Sequence, residues 1–269
     1  MKKESFTFGS IFGKSFKEYK INFKESSKFI LLFIGLPSLL LLLIEIVMLF
    51  ADPTLFSAIN SSMSAAALLG KVVKTPLYFR IISYFFTLVS IFLMVFVSAG
   101  FISTTLKKDK FSFRELVRNA KPRYWQYFGL SVVLLIFIIL LTLLLIIPGI
   151  IFGVYWVFAS YIFFDRKEKI MPSLKQSREI VKNRWWKTLG YALLIGLIII
   201  GFAILISIIQ LPTTIIMTIN ALGSTTNSLG LLIAYLILNF ITSLLVTLIS
   251  VPLPILFFKN FYREMKGNK

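Results

Sequence analysis

One carboxylate, Glu45, stands well inside an apolar run, where an ionisable side chain is costly unless it is neutralised or put to use. Two chemistries suit it there, proton relay and contact with a cationic ligand. Arg80 enters the next apolar run from the same side, so an ion pair across the first hairpin, or snorkelling to the interface, is the favoured reading. The polar groups that stand out elsewhere at membrane depth are Gln210, Asn239, Thr242, Ser243 and Thr247. Asn239, Ser243 and Thr247 follow each other at i, i+4 steps and form one stripe on a helix. Such a stripe lines a polar pathway or, more commonly, bonds one helix to another. Gly149-x-x-x-Gly153 permits close helix packing and is a weak dimer signal. Histidine and cysteine are both absent, which removes thiolate chemistry, imidazole acid-base chemistry and the commonest transition-metal ligands. No phosphate-binding loop, catalytic carboxylate pair or nucleophile-base set is visible. The expectation is a protein that is not an enzyme and needs no cofactor or metal.

The elements that must position these residues are membrane helices. Hydrophobic residues make up 58% of the 269, and several apolar runs reach the roughly 20 residues that cross hydrocarbon as a helix. Period-2 alternation is absent, so an all-α polytopic membrane protein is expected, not a barrel. Lys plus Arg number 7, 3, 7, 0, 8, 0 and 4 in the gaps around six apolar segments, which leaves 26 of 29 in the odd gaps. Basic loops are retained in the cytoplasm, and this alternation predicts six crossings with both termini cytoplasmic in a cell membrane. The first 28 residues are polar and Lys-rich with no small-residue cleavage site before Phe29, so the first helix reads as a mature span.

The spans are expected at about Phe29–Phe50, with Pro37 as a kink, and Arg80–Leu106. A hairpin over Phe128–Phe164 turns at Pro148-Gly149, because one kinked helix would put two basic loops on opposite sides. The last two spans are expected at about Leu189–Leu211 and Leu231–Phe258. Asp52-Pro53 is read as the start of a short helix outside the membrane. Tyr124-Trp125 and Trp185-Trp186 suit interfacial belts.

A short pattern recurs before each odd-numbered span. Lys17-Glu18 leads to Asn22, Arg114-Glu115 to Asn119, and Arg178-Glu179 to Asn183. Ser15 with Glu18, Ser112 with Glu115, and Ser173 with Gln176 have capping-box spacing. Arg123-Tyr124-Trp125 then Gly129 parallels Arg184-Trp185-Trp186 then Gly190. The chain thus reads as a single integral domain, 1–269, of three parallel units at about 10–106, 107–164 and 165–258. Each is an interfacial amphipathic helix followed by a transmembrane hairpin. In the first, Phe12, Phe16, Tyr19 and Phe23 recur at helical spacing, with Lys14, Lys17, Lys20 and Lys24 on the polar side.

Ile147-Pro148-Gly149-Ile150, then Pro172-Ser173-Leu174-Lys175-Gln176-Ser177-Arg178, then Lys182-Asn183-Arg184-Trp185-Trp186, is a recognisable order of motifs. It resembles the glycerophosphoryl diester phosphodiesterase membrane-domain family and related six-helix prokaryotic membrane proteins, over about residues 145–200. The resemblance implies a membrane domain alone. In fused members the hydrolase chemistry belongs to a separate barrel of about 250 residues that uses His, and this chain has neither the length nor a histidine.

The gaps assigned to the cytoplasm hold 26 basic and 9 acidic residues, a net charge of +17. That charge favours contact with anionic membrane lipids at about 1 kcal/mol per basic residue near the surface. The candidate headgroup contacts are Lys17, Lys20, Lys24, Arg114, Arg118, Arg123, Arg178, Lys182 and Arg184. The function expected is binding of anionic lipids or of a protein partner, including a second copy of the chain. The alternative is a small-solute or lipid transporter using Glu45 and the sixth-helix stripe. Nucleic acid is not expected, because the charge is spread over short loops and topology explains it.

Overall fold

A computed structural model describes residues 6–52, 76–222 and 228–267. The Asp52-Pro53 helix start expected above therefore falls largely outside the described residues. Among those described there are α-helices and no strands. In chain order the helices are α1 Phe8–Ile30, α2 Leu36–Ala51, α3 Leu77–Thr105, α4 Phe113–Ala120, α5 Tyr124–Leu144 and α6 Ile146–Tyr155. There follow α7 Ala159–Asp165, α8 Ile170–Val181, α9 Trp185–Ser207, α10 Leu211–Leu222, α11 Leu229–Ser250 and α12 Pro252–Gly267. Six helical stretches are long and apolar enough to cross a membrane: Phe8–Ala51, Leu77–Thr105, Phe113–Leu144, Ile146–Asp165, Ile170–Asn220 and Leu229–Gly267. The chain is a multi-pass membrane protein by that measure. Many of their Leu, Ile and Phe side chains are exposed, as suits helices whose surroundings are as apolar as they are.

The helix irregularities have local causes. Pro37 cannot donate to the Phe33 carbonyl, and its ring crowds that carbonyl. Immediately before it, Leu31–Gly35 widens into a π turn, and Pro37 itself occupies the tolerant first turn of α2. The hairpin turns at Leu145, three residues before the expected Pro148-Gly149. Leu145 alone takes an extended conformation (φ −161°, ψ 133°) between α5 and α6. Pro148 then sits in the first turn of α6, where its missing N–H costs nothing. Gly149 has a separate duty: a Cβ built on it would lie 2.2 Å from Thr142 Oγ1 and 3.1 Å from Thr142 Cα. The two arms pack so closely there that only hydrogen fits.

The sixth apolar run is not one helix to Phe258. It breaks at Val251, and Pro252 opens α12, again at a position where proline needs no N–H partner.

The described residues form two compact units. The first contains residues up to 30, 92–200 and 248 onward; the second contains 31–91 and 201–247. The core of the first is aromatic. Phe158, Phe257 and Phe261 are fully buried, and the Phe158 and Phe261 rings meet edge to face at 5.3 Å, a favourable geometry for their quadrupoles. The second unit has a smaller core around Leu49, Met217 and Leu232.

Candidate functional site

The basic residues divide unevenly between the units. Of 24 among the described residues, 23 lie in the first unit and only Arg80 in the second. Within the first unit the helix α1 has three stripes, not the two expected. Lys14, Lys17, Lys20 and Lys24 are exposed. Phe8, Phe12 and Phe16 stack along the helix with ring centroids 5.9 and 6.0 Å apart. The third stripe, Ser15, Glu18, Asn22 and Ser26 at steps of three and four, is buried.

That buried stripe faces α12, where Lys259 is completely buried. Lys259 Nζ donates to Glu18 Oε2 at 2.5 Å and to Asp109 Oδ1 at 3.2 Å. Asn260 Nδ2 donates to Ser15 Oγ at 3.0 Å and to Glu18 Oε1 at 3.3 Å. Arg263 bonds Asp109 at 2.7 Å and the Thr105 and Leu106 carbonyls. Asn22 closes the arrangement, donating to the Asp109 carbonyl at 2.7 Å and accepting from the Phe111 N–H at 3.0 Å. A buried charge persists only when paired and hydrogen-bonded, and here Glu18 and Lys259 satisfy each other. The cluster fastens α1, α12 and the 106–112 loop together.

Asp109 is at the open edge of this cluster. Partial burial raises its carboxyl, but the hydrogen bonds and charges of Arg263 and Lys259 outweigh that and hold it below its usual 3.8. Its contribution to stability is therefore complete above pH 3.8 and is lost as pH falls through the lower folded value.

The nine residues expected at headgroups divide by environment. Lys17, Lys20, Lys24, Arg114 and Lys182 are exposed without an ion pair among the described residues. Lys20 lies 4.7 Å over the Phe16 ring. Arg118 is exposed and 3.9 Å from Glu115. Arg178 stands 5.6 Å from the Tyr155 ring. Arg184 is half-buried against Met265 and the Phe6 ring. Arg123 turns inward and bonds the Phe163 and Glu168 carbonyls, each at 2.6 Å.

Of the three capping boxes expected, only Ser112 with Glu115 forms. Ser15 and Ser173 sit inside α1 and α8, and each hydroxyl donates to the carbonyl four residues earlier; Thr7, just before α1, exchanges bonds with Ser10 instead. The paired aromatic motifs do share a geometry. A 3-10 turn, Lys121–Arg123 or Lys182–Arg184, precedes each long helix. The first aromatic bonds a neighbouring helix, Tyr124 to the Phe92 carbonyl and Trp185 to the Ile151 carbonyl. The second, Trp125 or Trp186, is exposed.

A residue the sequence did not single out for its bonding, Ser177, repairs the break between α6 and α7. Its Oγ donates to the Tyr155 carbonyl at 2.7 Å and accepts from the Phe158 N–H at 3.2 Å, two groups the interrupted helix leaves without partners. Only its place on the buried face of α8 hints at this.

In the second unit Glu45 is half-buried and Arg80 exposed, and no ion pair joins them among the described residues. On α11 the stripe does not act as one. Gln210 Nε2 donates to Thr242 Oγ1 at 2.5 Å and to Asn239 Oδ1 at 3.2 Å, while Ser243 and Thr247 return to carbonyls of their own helix. The interhelical bonds thus run through Asn239, which is on the expected line, and Thr242, which is not. No protein-family model, curated protein or solved structure matches the chain.

Proposed function

We propose that this is a non-enzymatic integral protein of a prokaryotic cytoplasmic membrane, with both termini cytoplasmic, that binds anionic lipids through its basic unit. The observation that carries the reading is the gathering of 23 of 24 described basic residues in one unit, with the α1 lysines left exposed beside aromatic rings. Cations without local partners attract an anionic leaflet, and the exposed Trp125 and Trp186 suit the headgroup level. The matching turn-and-aromatic geometry before α5 and α9 supports construction from parallel helix-plus-hairpin units. A protein partner or second copy would be recruited to the same face. The resemblance at residues 147–186 accords with a membrane domain acting by binding.

Reconstitution of the full chain in nanodiscs of mixed zwitterionic and anionic phospholipid tests this. Mass spectrometry of the lipids retained is expected to show anionic enrichment over the input ratio. Retention at the input ratio would refute lipid binding.

A second reading, transport of a small solute or lipid, is favoured by one observation: Glu45 has no ion-pair partner among the described residues. Proton flux into proteoliposomes separates the two. Under the binding reading both wild type and Glu45→Gln stay at the protein-free rate. Flux that Glu45→Gln abolishes, with thermal stability unchanged, would establish transport.

A further inference from the structure

Beside the foot of α5 the first unit opens a cavity of about 880 Å³, within the range of about 300–1,000 Å³ typical of ligand sites. Three of its lining residues are cations, Arg123, Lys167 and Lys169, and none is acidic. The remainder is largely apolar, with Phe163 and Ile170 inside and the exposed Trp125 and Met171 at the rim.

The three cations differ in role. Arg123 is fixed: besides its two carbonyl bonds, its Nε donates to Gln126 at 3.0 Å, and its guanidinium lies 3.9 Å from the Phe163 ring centroid. Lys167 and Lys169 are exposed and have no ion pair or hydrogen bond from Nζ among the described residues. The loop sorts its charges. Glu168 accepts from Gln176 Nε2 at 3.1 Å, and Arg166 donates to Gln176 Oε1 at 2.5 Å, so both neighbours of Lys167 are engaged by α8. Lys167 itself has φ +54°, the only non-glycine residue with positive φ among those described. Left-handed backbone is disfavoured for a residue with a Cβ, and here it accompanies the placement of both lysines at the cavity.

We propose that this cavity holds one anionic phospholipid, its phosphate between Lys167 and Lys169 and an acyl chain over Ile170, Met171 and Trp125. The proposal rests on the lipid-binding reading and deepens it from general attraction to a single built site. A soluble anion would use the lysines alone and leave the apolar wall and rim idle. A phospholipid uses both, and its charge complements a lining with no carboxylate.

The test is native mass spectrometry of the full chain released from nanodiscs containing phosphatidylglycerol. Wild type is expected to retain one phosphatidylglycerol after the remaining lipids have been stripped. Lys167→Gln/Lys169→Gln is expected to weaken that retention roughly 30-fold, the product of two basic contacts of the usual interfacial strength. Lys20→Gln/Lys24→Gln, on α1, is expected to lower general anionic enrichment and leave the single lipid in place. If the Lys167/Lys169 variant holds the lipid as wild type does, the site is refuted while the general reading stands. If wild type shows no anionic enrichment at all, both fall. Displacement of the lipid by glycerol phosphate, which has the headgroup charge without the chains, would overturn the lipid assignment in favour of a soluble anion.

Discussion

Lys259→Met is expected to destabilise the protein by about 3–5 kcal/mol, the usual cost of stranding one member of a buried pair. Lys259 is fully buried and Glu18 nearly so, and they meet at 2.5 Å. Asp109, the second contact of Lys259, is over half exposed and can turn to water, whereas Glu18 cannot. The loss is therefore a property of Glu18 left without its counter-charge. Thermal unfolding in a fixed detergent or nanodisc should show a midpoint lowered by roughly 10 °C. Adding Glu18→Leu should recover most of it, since an apolar pair of similar volume often replaces a buried ion pair without loss. A single variant as stable as wild type would show that the pair contributes nothing. A double variant worse than the single would show that Glu18 acts through Asn260 and Ser15 instead.

The two glycines of Gly149-x-x-x-Gly153 should respond in opposite directions. Gly149→Ala pushes a methyl into Thr142 and is expected to cost about 1–3 kcal/mol as the arms of the α5–α6 hairpin separate. Thr142→Ala in that background removes the 2.2 Å oxygen contact but not the 3.1 Å approach of the Thr142 backbone, so rescue should be partial. A Cβ at Gly153 meets nothing within 4 Å. Gly153→Ala is thus expected to be neutral or stabilising by about 0.5–1 kcal/mol, the ordinary preference of a helix for alanine. Comparative thermal unfolding reads both. Were the motif a dimer face, both substitutions would weaken self-association together, which analytical ultracentrifugation would detect.

The six apolar stretches were legible because hydrocarbon demands long runs of apolar residues, and Ser112-x-x-Glu115 because capping is a local bond. The failures are equally physical. Pro148-Gly149 has the composition of a turn, yet proline is as well accommodated in the first turn of a helix as in a bend, and glycine serves close packing as readily as a reversal. The same ambiguity hid the start of α12 at Pro252. Ser15 and Glu18 have the spacing of a cap and also the spacing of a buried stripe; the continuation through Asn22 and Ser26 was the signal that distinguished them. Lys259 gave no local hint, because its partner is 241 residues away. Glu45 is legible as an isolated acid, but its shared side of entry with Arg80 does not fix the distance between the two side chains.

That separation orders events during synthesis. At roughly 5–20 residues per second, the 241 residues from Glu18 to Lys259 take some 10 to 50 seconds to add. Throughout that interval α1 carries a carboxylate on the face it will later bury, while Asn22 on the same face already has the Asp109 carbonyl and the Phe111 N–H as partners. The bonds of α1 to the 106–112 loop are therefore available before those to α12, and the Lys259 contact completes the docking of α1 instead of starting it.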